Sequence, residues 1–149
     1  MTIGMSNIPW IPLLRLSVDA FAPYGDIIAH NGEEEPAFQV VIDEPEPTGW
    51  RIAVNKVTAR AVTSLGCHPN TRESFEPLSG VAVIVVAEQE SPDRPVAFLL
   101  DCPVCLHKGI WHASLALSEF ALLKITENHT VQSESYPLPL PLAVGLVQG

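Results

Sequence analysis

The chain has 149 residues, 47% of them apolar and 17% charged, and a formal net charge of −9 at pH 7. That size and composition suit a single domain spanning 1–149 with a substantial core, and exclude disorder over most of the length. Eight Lys and Arg, scattered among 17 Asp and Glu, exclude the basic face that nucleic acid requires, although one local cation can still clamp an anionic metabolite.

No run of eighteen apolar residues is present, so no membrane span is expected. Met1 to Ile8 lacks the basic and apolar regions of a signal peptide, which points to a cytoplasmic location. Between Leu13 and Tyr24 a short helix is predicted, with Ser17 as its cap and Pro23 and Gly25 ending it. Asp26 to His30 reads as a strand, Asn31 to Pro36 as a solvated acidic turn, and Phe38 to Ile42 as a further strand. Glu44 to Gly49 carries two prolines and reads as a loop.

From Trp50 the pattern turns to β. Trp50, Ile52, Val54, Val57, Ala59 and Ala61 nearly alternate with polar partners, and the phase slip near Asn55 predicts a bulge. Phe75 to Leu78 reads as a short strand, and Val81 to Ala87 as a strand buried on both faces. Glu88 to Pro95 is a charged turn, followed by strands at Val96 to Leu100, Ile110 to His112 and Ala121 to Thr126. In the tail, 136–149, Pro137, Pro139 and Pro141 alternate with leucines. This predicts a polyproline-like arm, apolar enough to pack on its own barrel or on a second subunit. Many short strands with Pro and Gly turns and one weak helix describe an all-β sandwich or barrel.

Cys67, Cys102 and Cys105 form an odd set in a chain for which no signal peptide is expected, which argues against a disulfide framework. The Cys102–Cys105 pair has redox or zinc half-site spacing. It lacks the following helix of a thioredoxin-like site and the second pair of a closed zinc site, so it reads as small buried or turn residues.

Chemistry concentrates in two segments, His68-Pro69-Asn70-Thr71-Arg72-Glu73 and His107-Lys108-Gly109-Ile110-Trp111-His112. Imidazole and carboxylate bind metals and move protons near neutral pH. Taken singly, these residues also have structural readings: His68 as a turn residue, Trp111 as core, Lys56 as an exposed strand lysine.

The spacing from His68 to Glu73 to Gly80 resembles the later part of the first cupin motif, whose usual leading His would fall at Gly66. The segment ending at His112 resembles the second motif, with His107 where that motif has Pro. The resemblance implies a cupin-like double-stranded β-helix in which His68, Glu73 and His112 converge as a two-His, one-carboxylate set, suited to a divalent ion such as Zn, Mn, Ni or Fe.

A closer resemblance is to the ureidoglycolate lyase family. It rests on Phe21-Ala22-Pro23-Tyr24-Gly25-Asp26, on His68-Pro69 with Phe75, Pro77 and Gly80, and on His107-Lys108-Gly109-Ile110-Trp111-His112, and covers roughly Phe21 to Thr126. It implies a cupin-like barrel, commonly dimeric, that splits ureidoglycolate into glyoxylate and urea in purine and allantoin breakdown. His68, Glu73, His107 and His112 are then the catalytic candidates. Lys56 and Lys108 are candidates for the substrate carboxylate, and Trp111 for the pocket wall. The chain departs from the family pattern at Gly66-Cys67, where Glu-Arg is usual, at Glu73, where Gln is usual, and at Ala113, where a second His is frequent. These departures leave two other readings open. One is a metal-dependent cupin isomerase or oxygenase; the other is a non-catalytic barrel that binds a small ligand, with the Pro-rich arm as its interaction segment.

Overall fold

The computed structural model describes residues 9–146; the first eight residues and the last three of the Pro-rich tail lie outside that range. The element order is β1 (Trp10–Arg15), α1 (Val18–Phe21), β2 (Gly25–Ile27), β3 (Arg51–Val57), β4 (Val62–Cys67), β5 (Glu73–Ser79), β6 (Ala82–Ala87), β7 (Val96–Leu100), β8 (Val104–Leu106), β9 (Trp111–Ala116), β10 (Ala121–Glu127) and β11 (Glu134–Gly145). Strands β1, β11, β4, β9, β6 and β7 close into a barrel, and β2, β8, β5, β10 and β3 form a second sheet. From β3 to β11 the chain passes back and forth between the two layers. That winding is the double-sheet jelly roll implied by the cupin resemblance.

Strand β6 sits where its sequence requires. Every residue from Ala82 to Ala87 is buried. Ile84 and Val86 pack with Phe75, Phe98 and Leu123 between the layers, whereas Val83 and Val85 pack with Leu65, Trp111 and Leu115 inside the closed barrel. A continuous β-branched run therefore serves two cores, each full burial of such a side chain stabilising the fold by roughly 1.5–3 kcal/mol. Gly80 turns the chain into this strand with φ +76°, and a Cβ there would lie 2.3 Å from the Phe120 carbonyl oxygen. Only glycine fits so close an approach.

The helix is one turn, capped as expected: Ser17 is extended, and its hydroxyl accepts from the Ala20 amide at 3.1 Å. Its Phe21 packs edge-on against Phe98, ring centres 5.2 Å apart. Three strands, β1, β4 and β8, carry no clear signal in the sequence: β1 and β4 mix Pro, Ser or Gly with their apolar residues, and β8 is only three residues long.

Two predicted features are absent and one differs. Phe38 to Ile42 is irregular, with Phe38 85% exposed; it lies on neither sheet edge, so its apolar alternation has no ladder to join. No bulge interrupts β3, which pairs with β10 in unbroken register from Arg51↔Glu127 to Val57↔Ala121. The phase slip arises instead because Ile52 and Val54 lie on the exposed outer face while Val57 is buried on the inner one. The Pro-rich tail is strand β11, parallel to β1 and antiparallel to β4, with a register break between Pro137 and Leu142. Prolines cannot donate to the ladder, so the break falls where they cluster. Tyr136, Leu138, Leu142 and Val144 pack against the inner barrel core.

Candidate active site

The two chemistry-bearing segments meet. The Gly109 amide donates to the His68 carbonyl at 3.2 Å, and Gly66 on β4 lies directly opposite His112 on β9. His68 follows the end of β4, Glu73 opens β5 and His112 is the second residue of β9. The alternation of each strand decides what faces the gap between the layers. Glu73 shares a face with buried Phe75, and His112 lies opposite in direction to its neighbour Trp111.

His68 Nε2 lies 3.2 Å and His112 Nε2 3.1 Å from the same oxygen, Glu73 Oε2. The three potential ligand atoms all fall within 4.8 Å of one another. The imidazole rings are 5.0 Å apart, and Phe75 packs edge-on to His112 at 5.5 Å. Glu73 is only 6% exposed.

The other ring nitrogens fix the protonation pattern. His68 Nδ1 lies 3.1 Å from the Gln132 carbonyl oxygen, with Ser133 Oγ also at 3.1 Å; His112 Nδ1 lies 3.1 Å from the Ile110 carbonyl oxygen. A carbonyl only accepts, so in the neutral rings both Nδ1 atoms carry the proton and both Nε2 atoms present lone pairs. Glu73 Oε2 is then a buried oxygen with no hydrogen-bond donor, despite two nitrogens within 3.2 Å. Three lone-pair atoms converge on one point, an arrangement that needs a cation between them or a proton on an imidazole. The donor set and its buried orphan oxygen fit a divalent ion.

Protonation is the alternative to the ion. Burial opposes charge on His112, but the Glu73 carboxylate, the Ile110 carbonyl and the more distant Glu127 outweigh it and hold the imidazole above its ordinary pKa.

A cavity of about 410 Å³ adjoins the cluster, lined by Glu73, Phe75, His112, Ser114, Asn55 and Thr58 among others. Its volume suits a small metabolite. Asn55 pairs with buried Leu123 and so faces inward. Lys56 also borders the cavity; alternation along β3 turns its side chain the other way, and its Nζ lies 4.9 Å from the centre of the Phe120 ring.

The other sequence candidates lie apart from the cluster. Lys108 Nζ pairs with Glu44 at 3.2 Å. His107 Nε2 contacts the Ala22 carbonyl at 3.2 Å, and its Nδ1 faces Arg72 at 3.5 Å. Trp111 is in the inner barrel core, its indole donating to the Gln89 carbonyl at 3.1 Å. Of the cysteines, Cys105 is buried and its thiol is pushed up to about 11, chiefly by burial. Burial thus disfavours its thiolate at neutral pH.

One cation on the inner face escaped sequence reasoning. Arg51, Glu127 and Glu73 stand in register across β3, β10 and β5, so all three share the cluster's face. Arg51 donates from Nε and from a terminal nitrogen to Glu127 Oε2, at 2.7 and 2.6 Å. Arg51 carries no motif, and only the strand register brings it to the site.

Residues 44–138 match the family model described as ureidoglycolate lyase. A ureidoglycolate lyase of Burkholderia cepacia is 30% identical over 144 aligned positions, covering 80% of this chain and 81% of the relative. The ureidoglycolate lyase of Agrobacterium fabrum is 30% identical over 135 positions, covering 74% and 81%. Among solved structures, RmlC from Streptococcus suis in complex with dTDP-D-xylose superposes with a TM-score of 0.47 at 15% identity, covering 83% of this chain and 73% of that one.

Proposed function

The chain belongs to the ureidoglycolate lyase family, and on that premise we propose that it splits ureidoglycolate, or a close ureido acid, into glyoxylate and urea at the His68–Glu73–His112 cluster. The observation that carries this reading is the buried Glu73 oxygen with an imidazole nitrogen at 3.1 Å on one side and 3.2 Å on the other, beside a cavity of metabolite size.

Ureidoglycolate is a carbinolamide. Its collapse removes the hydroxyl proton, turns C–O into a carbonyl and sends the C–N electron pair to the urea nitrogen, which must gain a proton. The cluster can do both transfers: a basic atom of the His68–Glu73–His112 group takes the hydroxyl proton, and the same group returns a proton to the leaving nitrogen. A divalent ion held by His68 Nε2, Glu73 Oε2 and His112 Nε2, whether Zn, Mn, Ni or Fe, would supply Lewis acidity at that hydroxyl. Asn55 and Ser114 offer hydrogen bonds to the ureido group. For the substrate carboxylate, Arg51 is the better-placed cation, because it shares the cluster's face whereas the Lys56 ammonium does not. Lys108 stays a candidate from the rim, and His107 and Trp111 act as supports of the two segments.

The same reading takes the protein as a cytoplasmic homodimer in allantoin breakdown. No helix among the described residues is long and apolar enough to cross a membrane. Strand β3 is an edge that exposes Ile52 and Val54 beside Trp50, an apolar surface a second copy would cover.

The test is direct. Pure protein is incubated with ureidoglycolate, with and without added divalent metal, and glyoxylate is followed against the spontaneous rate. Enzyme-dependent release supports the reading; no excess under any metal condition rejects it.

A further inference from the structure

We propose that Asn70 is a positioning residue of the site, acting through the Gln132 carbonyl to fix which nitrogen of His68 carries its proton. The proposal rests on the cluster described above, but not on the reaction assigned to it.

Asn70 lies inside the first chemistry-bearing segment, where neither spacing nor motif gives it a role. Its side-chain amide takes up both a donor and an acceptor of the turn after β10. Oδ1 accepts from the Gln132 amide at 2.8 Å, and Nδ2 donates to the Thr130 carbonyl at 2.9 Å. The same turn is held at its start: Asn128 donates from Nδ2 to the Asn70 carbonyl at 3.0 Å, and its amide donates to Thr71 Oγ1, also at 3.0 Å. Thr71 is 2% exposed, so this end of the turn is anchored to a buried group. Four contacts thus bind residues 128–132 to residues 70 and 71.

The consequence falls on His68. With its amide fixed by Asn70, Gln132 turns its own carbonyl toward His68 Nδ1 at 3.1 Å, and Ser133 Oγ approaches the same nitrogen. Because the carbonyl only accepts, Nδ1 keeps its hydrogen and the Nε2 lone pair points to Glu73 Oε2. His112 reaches the same state by a shorter route, through the carbonyl two residues before it. The two imidazoles therefore have independent supports, and only that of His68 runs through Asn70. A partner that orients a ligating imidazole typically changes metal affinity about 10–100-fold when removed.

Two readouts separate positioning from mere structural support. Ring ¹⁵N spectra of the metal-free protein, taken in the alkaline range where imidazoles are neutral, report the tautomer of each histidine. Titration with Zn²⁺ against a competing chelator reports the affinity of the cluster. In Asn70→Ala we expect the His68 Nδ1–H tautomer to lose its dominance and Zn²⁺ affinity to fall about tenfold or more, while the His112 signals stay as they are. Asn70→Asp keeps the acceptor for Gln132 and turns the donor to Thr130 into a second acceptor facing that carbonyl; because the Gln132 contact is kept, its His68 tautomer should stay near wild type.

A folded Asn70→Ala protein with unchanged His68 signals overturns the proposal. So does a joint change of His68 and His112, which would mean general loosening. If Asn70→Ala does not fold, Asn70→Asp decides: a preserved His68 tautomer supports the proposal, and its loss alongside that of His112 overturns it. A protein that binds no Zn²⁺ but shows the expected tautomer shift would reject the metal reading and leave Asn70 in its role.

Discussion

Gly66 offers a gain-of-function test of the site's geometry. It stands opposite His112 in the β4–β9 pair, and its strand neighbours Leu65 and Cys67 both face the inner barrel core, so a side chain at 66 faces the cluster. Directly opposed Cβ atoms lie about 4.5–5.5 Å apart. A Cβ added there meets nothing closer than 4.0 Å, and its φ lies outside the range that favours glycine. Gly66→Ala should therefore stabilise the fold by about 0.5–1 kcal/mol, since glycine in a strand carries excess backbone entropy. For a domain of this size that is roughly 1–4 °C in Tm. Gly66→His should add a third imidazole to the cluster. Removing an outer partner alone changes metal affinity about 10–100-fold, so a new ligand should tighten Zn²⁺ binding by at least about tenfold. Isothermal titration of metal-free protein, with Gly66→Ala as the reference, measures it. A Gly66→His protein that folds normally and binds Zn²⁺ no better than Gly66→Ala would refute the placement of position 66 toward the cluster.

Phe98→Ala removes a ring that is 1% exposed and packed against Phe21 and Tyr24, and should cost about 3–5 kcal/mol in denaturant unfolding. The raised pKa of His112 gives a pH signature in metal-free protein. Its protonated form is favoured by folding, so the stabilisation is fully present below the ordinary histidine value and is lost as pH rises through the folded value. The stability difference between wild type and His112→Gln should therefore shrink with rising pH; a difference that grows would contradict the assignment of Glu73 as the dominant partner. Gly80→Ala should destabilise by about 1–3 kcal/mol, through the Phe120 carbonyl clash and positive φ, in thermal unfolding.

The jelly roll and its central cluster were legible because their signals are local. The all-apolar run at β6 declares a strand buried on both faces, and the spacings around His68, Glu73 and His112 carry the cupin-type resemblance. Side-chain direction was not legible at β3. Apolar residues on both faces of this edge strand blur its alternation, so the sequence does not tell which of Asn55 and Lys56, both of which border the cavity, turns its side chain inward. Arg51 reaches the site only through the pairing of three strands distant in sequence. The supports of the imidazoles are main-chain carbonyls at Ile110 and Gln132, and a carbonyl's role leaves no mark on residue identity. The Pro-rich tail reads as extended either way; its capture by β1 and β4 depends on tertiary pairing.

The measurement that bears most directly on the proposed reaction is glyoxylate release from ureidoglycolate by wild type and by His112→Gln, assayed side by side in the same metal. His112→Gln removes the imidazole whose Nε2 lies 3.1 Å from Glu73 Oε2 while leaving a polar side chain in its place. Loss of a group that moves the reacting proton should lower turnover by about 10²–10⁴-fold with the fold intact. Turnover that survives in His112→Gln at the wild-type rate would place the reaction elsewhere in the molecule.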